Sequence, residues 1–269
     1  MPDVHAMHQF FTERDHLNRT LFSETLMSID VIFLGLDGVL FDTEALHLAA
    51  CNAAFANAGL SIRWTLPALR GAAASHGYAR AIGTVVTREL FARDKGRAAA
   101  LFADKHHQFH QSITGAPPPL LPAARALIDD AIAAGCKVCI LTDLPAAATS
   151  ALLAASFGVD VNSVFTVVTA GASFDGPSGT GPYAMALHAM GVSPGDAIAV
   201  DTAVPSLRAA EEAGLWTVSV APYGADVVRP RQFITFDALN ELRYSPYTPD
   251  QQQERGRGQE REREQGRQH

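Results

Sequence analysis

The chain has 269 residues, of which 48% are hydrophobic and 18% are charged, and its net charge is −7. This composition is ample for a buried core and one or two domains. The mildly acidic balance includes no basic domain, so we expect no nucleic-acid partner. No apolar run approaches the ~20 residues of a membrane-spanning helix, so we expect no membrane partner either.

The cysteines and the first residues indicate a cytoplasmic protein. The N-terminus carries acidic residues and lacks the basic and then apolar layout of a signal peptide. Three cysteines, Cys51, Cys136 and Cys139, are a sparse and odd set that fits a reducing compartment. Cys139 falls in an apolar strand-like run, so we interpret the Cys136/Cys139 pair as packing residues rather than as redox or metal-binding residues.

The first half of the chain predicts one strand and then only helices. Residues 1–26 have weak helical periodicity and are interpreted as an N-terminal extension. The apolar run Val31–Leu36 predicts a strand. The helical patterns that follow it are Thr43–Asn57, Leu66–Leu69, Ser75–Ala92 and Lys95–Ile113. They predict a helical cap over residues 44–116, inserted after the first strand.

The second half alternates between helices and strands after the proline run 117–119. The predicted strands are Lys137–Thr142, Val164–Val168, Ala197–Val200 and Trp216–Val220, each preceded by a helical segment. Such alternation predicts a doubly wound, Rossmann-like α/β core with a parallel sheet, formed by residues 27–43 and 117–245. The Gln/Arg/Glu-rich residues 246–269 are predicted to be a disordered tail.

Several segments in this order resemble the haloacid dehalogenase-like phosphatases, closest to the β-phosphoglucomutase-like branch and its Calvin-cycle xylulose-bisphosphate phosphatases. They are Gly35-Leu36-Asp37-Gly38, Asp42-Thr43-Glu44, Asn52–Leu60, Leu120-Leu121-Pro122 and Ala209–Leu215. The resemblance covers about residues 29–225. It implies the same fold, an α/β core with a helical cap after the first strand.

The first family motif is altered in this chain. The resemblance implies a nucleophilic aspartate at position 35 and an acid/base aspartate at position 37. Position 35 is glycine, which has no side chain and cannot attack phosphorus. Asp37 remains as the residual acid/base.

The phosphate-binding motifs are also altered. The resemblance implies a phosphate-binding hydroxyl at Thr142, with Asp143 beside it, although Asp143 as a helix N-cap is an open alternative. The family lysine aligns near Ser178, and the lysines of this chain stand at positions 95, 105 and 137. Ser178 and its glycine-rich surroundings could hold an anion through backbone N–H groups, or could be a loop without a ligand.

The resemblance implies a Mg²⁺ site of two acids after the fourth strand together with the nucleophile. Here Asp201 is followed by Thr202, so that Asp201 and the backbone carbonyl of Asp37 remain as ligands. Mg²⁺ is usually held by one or two carboxylates with water and phosphate. We therefore expect Mg²⁺ binding to be weak or absent.

Three cap residues match the substrate-contacting positions of relatives: Glu44, His47 and Arg80. Arginine can contact a phosphate bidentately, and a solvated arginine is equally consistent with the pattern.

Three functions follow from these motifs. The first is a pseudophosphatase that binds a phosphorylated small molecule or a protein partner. The second is a Mg-dependent sugar-phosphate hydrolase that works without an aspartate nucleophile, with Asp37 as the base for water. The third is a scaffold that assembles through residues 1–26 or the tail.

Overall fold

Five parallel strands form one sheet in the computed structural model, which describes residues 29–85, 94–174, 181–220 and 235–239. They are β1 (Val31–Leu34), β2 (Lys137–Leu141), β3 (Val167–Thr169), β4 (Ala197–Asp201) and β5 (Trp216–Ser219). Their order in the sheet is β3-β2-β1-β4-β5. The predicted doubly wound sheet is thereby confirmed. The predicted extension 1–26, the predicted tail 246–269 and Ser178 lie outside the described residues.

Helices separate the strands along the chain. Those described are α1 (Glu44–Asn57), α2 (Leu66–His76), α3 (Gly83–Val85), α4 (Lys95–Gly115), α5 (Pro122–Ala133), α6 (Ala146–Phe157), α7 (Val161–Val164), α8 (Pro182–Met190) and α9 (Val204–Glu212). The helix predicted over Ser75–Ala92 is wrong at its start. There α2 ends at His76, and Gly77 follows with a φ of +76°, a conformation that favours glycine and stops a helix.

Strand β1 lies at the centre of the sheet and is buried along its whole length. Leu34 pairs with Ile140 of β2 on one side and with Val200 of β4 on the other. The next residue of each strand continues this register, which sets Gly35 beside Asp201. Paired residues of parallel strands direct their side chains to the same face of the sheet. The topology therefore brings residues 35 and 201 together.

The segment 44–116 between β1 and β2 contains helices and no strand among its described residues, and we refer to it as the helical insert. It has its own hydrophobic core, which includes Phe55, Leu69, Ile82 and Leu101. Helix α4 is its longest element and packs against α1. Because α1 begins directly after the turn that follows β1, the insert is held over the carboxyl edge of the sheet.

The three cysteines Cys51, Cys136 and Cys139 are free and buried, as expected for packing residues. Among the described helices, none has both the length and the apolar character that crossing a lipid bilayer requires. Residues 235–239, which belong to a separate unit of the chain, form a helical turn.

Candidate active site

Polar side chains gather at the carboxyl ends of β1, β2 and β4, where doubly wound folds bind their ligands. Asp37 and Asp201 are buried there, and Thr142 is 5% exposed. Asp143 follows Thr142 and is partly exposed. The predicted site residues of the sheet are thus brought to one edge, with the exception of Ser178, which is not described.

Gly35 leaves a space that Asp201 fills. A Cβ placed on Gly35 would lie 2.6 Å from Oδ1, 2.7 Å from Cγ and 2.8 Å from Oδ2 of Asp201. Real Cβ atoms do not approach other atoms so closely, so the Asp201 carboxylate occupies the position of a side chain at residue 35. The carboxylate is anchored there, since its Oδ1 accepts hydrogen bonds from the N–H groups of Thr202 (2.6 Å) and Ala203 (3.0 Å).

Asp37 projects from a tight turn into the contact between the sheet and the insert. Gly38 forms this turn with a φ of +75°, and its N–H donates to the carbonyl oxygen of Phe41. Oδ1 of Asp37 accepts hydrogen bonds from Thr43 Oγ1 (2.6 Å) and His47 Nε2 (3.2 Å). Thr43 and His47 lie at and after the start of α1. The start of the insert therefore positions two donors on the predicted acid/base residue.

A buried lysine contacts the other ring nitrogen of His47. Lys105 lies on α4 and has no exposed surface. Its Nζ contacts His47 Nδ1 at 3.0 Å and donates to the backbone carbonyls of Tyr78 (3.3 Å) and Ala79 (3.0 Å). The sequence places no lysine near the aligned motif, and Lys105 reaches the site through the fold instead, 68 positions after Asp37.

Lys105, His47 and Asp37 form a chain of contacts that we call the relay, and its hydrogen-bond geometry assigns the protonation state of each member. Burial lowers the pKa of Lys105, whereas the charge of Asp37 raises it. An ammonium group has three N–H donors, and the three acceptors around Lys105 match this cationic form. His47 then accepts at Nδ1 and donates from Nε2, which is the neutral imidazole. Burial and the charge of Lys105 lower the pKa of His47, in agreement with a neutral ring. Asp37 is the anion: burial opposes its charge, yet His47 and Thr43 lower its pKa on balance.

Aromatic rings fix His47 in this orientation. The Phe109 ring stacks on the imidazole with centroids 4.2 Å apart, and the Tyr78 ring is at 5.7 Å. His47 itself is fully buried. A buried ring that is stacked in this way and hydrogen-bonded at both nitrogens cannot easily rotate, so the chain of contacts from Lys105 through His47 to Asp37 has a preset geometry.

The other two carboxyl groups have raised pKa values. Burial, together with the charges of Asp37 and Asp201, raises the pKa of Asp143 to about 7. Burial also raises the pKa of Asp201 to about 6, although hydrogen bonds from Ser206, Ala203 and Thr202 lower it. The three acids thus oppose each other's ionisation at this edge of the sheet.

Asp143 should make the fold less stable as the pH rises. Its pKa is about 7 in the fold and 3.8 in the unfolded chain, so between these values the folded state binds more protons. The stabilisation that this group contributes to the fold is fully present below pH 3.8, and it is lost as the pH rises from 3.8 to about 7. We expect Asp143→Asn to stabilise the protein by about 1–2 kcal/mol at pH 8, after allowance for its partial exposure, and much less at pH 4.5. Urea unfolding at both pH values measures this.

The exposed Asp129 provides the matched control for this prediction. Asp129→Asn removes a charge of the same sign at an exposed position of α5 and should not give the gain in stability at pH 8. An equal gain for both variants at pH 8 would contradict the assigned role of Asp143.

Glu44 is held by the insert itself. Arg70 contacts it bidentately, from Nε to Oε1 at 2.6 Å and from Nη2 to Oε2 at 2.8 Å. The hydroxyl of Tyr78 donates to Oε1 at 2.9 Å. Burial opposes ionisation of Glu44, but these donors lower its pKa on balance. Its charge is compensated within the insert, in the wall above the carboxyl edge of the sheet.

Arg80 and Thr142 are each hydrogen-bonded to the backbone. Arg80 Nη2 donates to the backbone carbonyl of Ala172 at 3.0 Å, in the segment that follows β3. Thr142 Oγ1 accepts from the N–H of Leu144 at 3.2 Å, which leaves its own proton to donate. The alternative role of Asp143 as a helix cap is not observed, because no side chain caps the start of α6.

The residues predicted to hold Mg²⁺ are close together but already bonded. Thr202 Oγ1 donates to the Asp37 carbonyl oxygen at 2.8 Å, and Asp201 Oδ1 is bonded to two N–H groups. Within the part of the chain that the structure describes, no three His, Cys, Asp or Glu side chains are grouped to hold a metal ion.

Comparison with protein families gives a match that spans most of the chain. The model of the haloacid dehalogenase-like hydrolases matches residues 29–214. Protein CbbY of Cupriavidus necator is 30% identical over 198 residues, which are 71% of this chain and 77% of that protein. Protein CbbY of Cereibacter sphaeroides is 31% identical over 70% of this chain and 82% of that protein.

Solved structures of related proteins are similar to this chain in fold. The CbbY protein of Rhodobacter sphaeroides, crystallised in complex with phosphate, has a TM-score of 0.63 and 26% identity, over 76% of this chain and 91% of that one. A mutant of it in complex with xylulose-(1,5)bisphosphate has a TM-score of 0.62, over 74% of this chain and 92% of that one. A β-phosphoglucomutase of Clostridium difficile, 16% identical with a TM-score of 0.61 over 80% of this chain and 97% of that one, has the same fold.

Proposed function

This chain belongs to the haloacid dehalogenase-like hydrolase family, and we propose that it is a pseudophosphatase, a member that binds a phosphorylated ligand but does not form a phospho-aspartyl intermediate. The observation that carries the proposal is the pair Gly35 and Asp201. Residue 35 has no nucleophilic atom, and a neighbouring carboxylate occupies the space of its side chain. An incoming phosphoryl group would meet a bonded carboxylate at that position instead of a nucleophile.

Asp201 does not replace the missing nucleophile. Its Oδ1 already accepts two backbone hydrogen bonds, and Ser206 also bonds to this carboxylate. The side chain is 6% exposed. A carboxylate with its lone pairs engaged in this way is poorly placed to attack phosphorus, and moving it would leave buried N–H groups without partners.

The ligand we propose is a phosphorylated sugar, bound in the cytoplasm. The Thr142 hydroxyl and the Arg80 guanidinium are the donors that we propose for its phosphate. The relatives that match over most of their length include a protein crystallised with phosphate and with xylulose-(1,5)bisphosphate. A protein partner that covers the same edge is the alternative occupant for a pseudophosphatase.

The proposal is tested with the full chain and radiolabelled xylulose 1,5-bisphosphate, with and without Mg²⁺. After acid quenching we expect no labelled protein and no release of phosphate above the buffer background. We expect the same sugar phosphate to raise the melting temperature, with about 1.4 kcal/mol of added stability at ten times its Kd. A phosphorylated protein, or Mg²⁺-dependent turnover, would refute the proposal.

A second function is favoured by one observation, the relay from Lys105 through His47 to Asp37. An anionic Asp37 with a preset neutral histidine could serve as a base for direct attack by water. This hydrolase would need no covalent intermediate, and Mg²⁺, where bound, would supply charge neutralisation at the phosphate. In the same assay, slow turnover that is lost in Asp37→Asn would favour this function over the first, and turnover that persists in that variant would exclude Asp37 as the base.

A further inference from the structure

The family resemblance assigns four positions to a divalent cation: the side chains of residues 35, 201 and 202 and the backbone carbonyl of Asp37. In this chain each of them is either absent or engaged by another group of the protein. Two of these engagements share Thr202, whose hydroxyl bonds the Asp37 carbonyl and whose N–H bonds the Asp201 carboxylate.

The carbonyl of Asp37 is engaged by a hydroxyl. Thr202 Oγ1 donates to this oxygen at 2.8 Å. Gly38 leaves room for Thr202, because a Cβ at residue 38 would lie 2.8 Å from the threonine methyl carbon. The threonine thus places a partially positive hydrogen where a cation would contact the carbonyl oxygen.

The carboxylate of Asp201 is engaged by the backbone. Its Oδ1 accepts from the N–H groups of Thr202 and Ala203, directly before α9. Ser206 on α9 bonds to the same carboxylate, and the Ser206 hydroxyl also contacts the hydroxyl of Tyr183 at 2.8 Å. These donors satisfy the negative charge that Mg²⁺ would otherwise neutralise, and they hold the group in the empty space at Gly35.

A divalent cation therefore does not fit the residues present. Mg²⁺ demands near-octahedral oxygen ligands and usually takes one or two carboxylates with several waters. Here the carboxylates at positions 35 and 202 are missing, that of Asp201 is bonded to three donors, and the Asp37 carbonyl is bonded to a hydroxyl. Binding would require breaking these hydrogen bonds, with no new protein ligand in return.

We infer that Thr202 closes the cation subsite of this protein and that its ligand binds without a divalent cation. The inference rests on the proposed function for the identity of the ligand, but the closure of the subsite does not. The hydroxyl of Thr202 takes the role of the cation at the Asp37 carbonyl, and the N–H groups that precede α9 take it at Asp201. The class of ligand is then a phosphorylated sugar held by protein donors alone.

The test uses Mn²⁺ as the probe and electron paramagnetic resonance of free Mn²⁺ as the readout, which does not depend on activity. The full chain should bind no stoichiometric Mn²⁺. Thr202→Asp removes the hydroxyl and adds a carboxylate. This variant should bind one Mn²⁺ per chain, with a Kd at least about tenfold lower than any Kd of the unmodified chain. The control is Thr114→Asp, which adds the same charge at an exposed position of α4 and should behave as the unmodified chain does.

Two results would overturn the inference. One is stoichiometric binding of Mn²⁺ by the unmodified chain that is lost in Asp201→Asn. The other is a folded Thr202→Asp variant with no gain over Thr114→Asp. Should Thr202→Asp fail to fold, the titration of the unmodified chain still decides the question.

The ligand is tested separately. The rise in melting temperature with xylulose 1,5-bisphosphate should be the same in EDTA and in Mg²⁺, and a rise that appears only with Mg²⁺ would contradict the inference. The absence of a rise in both conditions, with Mn²⁺ still unbound, would refute the proposed ligand and leave the closed subsite standing.

Discussion

Replacing Lys105 by methionine should lower the free energy of unfolding by about 3–5 kcal/mol, because it removes one partner from a buried ionic relay. Methionine has a similar length but no donor. The carbonyls of Tyr78 and Ala79 and the Nδ1 of His47 would lose their hydrogen bonds, and the Asp37 charge would lose its compensating cation. Buried acceptors left without partners carry the full cost of desolvation.

Urea unfolding of the full chain measures this loss, and Lys95→Met is the matched control. Lys95 begins the same helix, α4, and is exposed, so its replacement should cost less than about 0.5 kcal/mol. Similar values for the two variants would mean that Lys105 does not carry the charge assigned to it.

A side chain at position 35 should be poorly tolerated. Gly35→Ala places a Cβ within 2.8 Å of the Asp201 carboxylate, and relief requires that carboxylate to leave its two N–H donors. We expect a loss of about 1–3 kcal/mol, as for overpacked cores. Gly35→Asp should lose more, since it adds a second carboxylate beside the first, and it should not by itself restore phosphatase activity.

A double-mutant cycle with Asp201→Ala isolates this contact. In that background the Cβ has no carboxylate to meet, so Gly35→Ala should become nearly neutral, with a coupling energy of about 1–3 kcal/mol. Gly71→Ala is the control, because a Cβ at Gly71 meets nothing within 4 Å and alanine is the better helix former. Additive losses at positions 35 and 201 would show that Asp201 moves freely out of the space.

The cycle also specifies how activity could be regained. A nucleophile at residue 35 and the present position of Asp201 exclude each other, so a carboxylate at 35 needs an Asp201 that has turned away. An acid at position 202 removes the hydroxyl from the Asp37 carbonyl, and a cation bound there could hold both carboxylates. Gly35→Asp combined with Thr202→Asp is therefore expected to be better tolerated in Mg²⁺ than in EDTA.

Most of the fold could be predicted from the sequence because its signals are local. The strand Val31–Leu34 and the helix Pro182–Met190 are defined by apolar runs and by proline or glycine at their ends. The prediction over Ser75–Ala92 was wrong where it began, since helical periodicity continued across Gly77 and only the positive φ of that glycine stops the helix.

The site was predicted in part. The strand ends of a parallel sheet share one edge, so Asp37, Thr142 and Asp201 could be placed together from their positions after β1, directly after β2 and at the end of β4. Lys105 could not be placed at the site from the sequence, because it is a lone lysine in the middle of an amphipathic helix. The only hint in the sequence was its position among buried residues, one turn from Leu101 and Phe109.

By itself, the sequence determined the family, the order of strands and helices, and the absence of a carboxylate at residue 35. The tertiary structure alone decided what replaces it. Buried polar groups need hydrogen-bond partners. The groups that meet at this edge, Asp201 at Gly35, Thr202 at the Asp37 carbonyl and Lys105 at His47, come from distant parts of the chain that only the packing of strands and insert brings into contact.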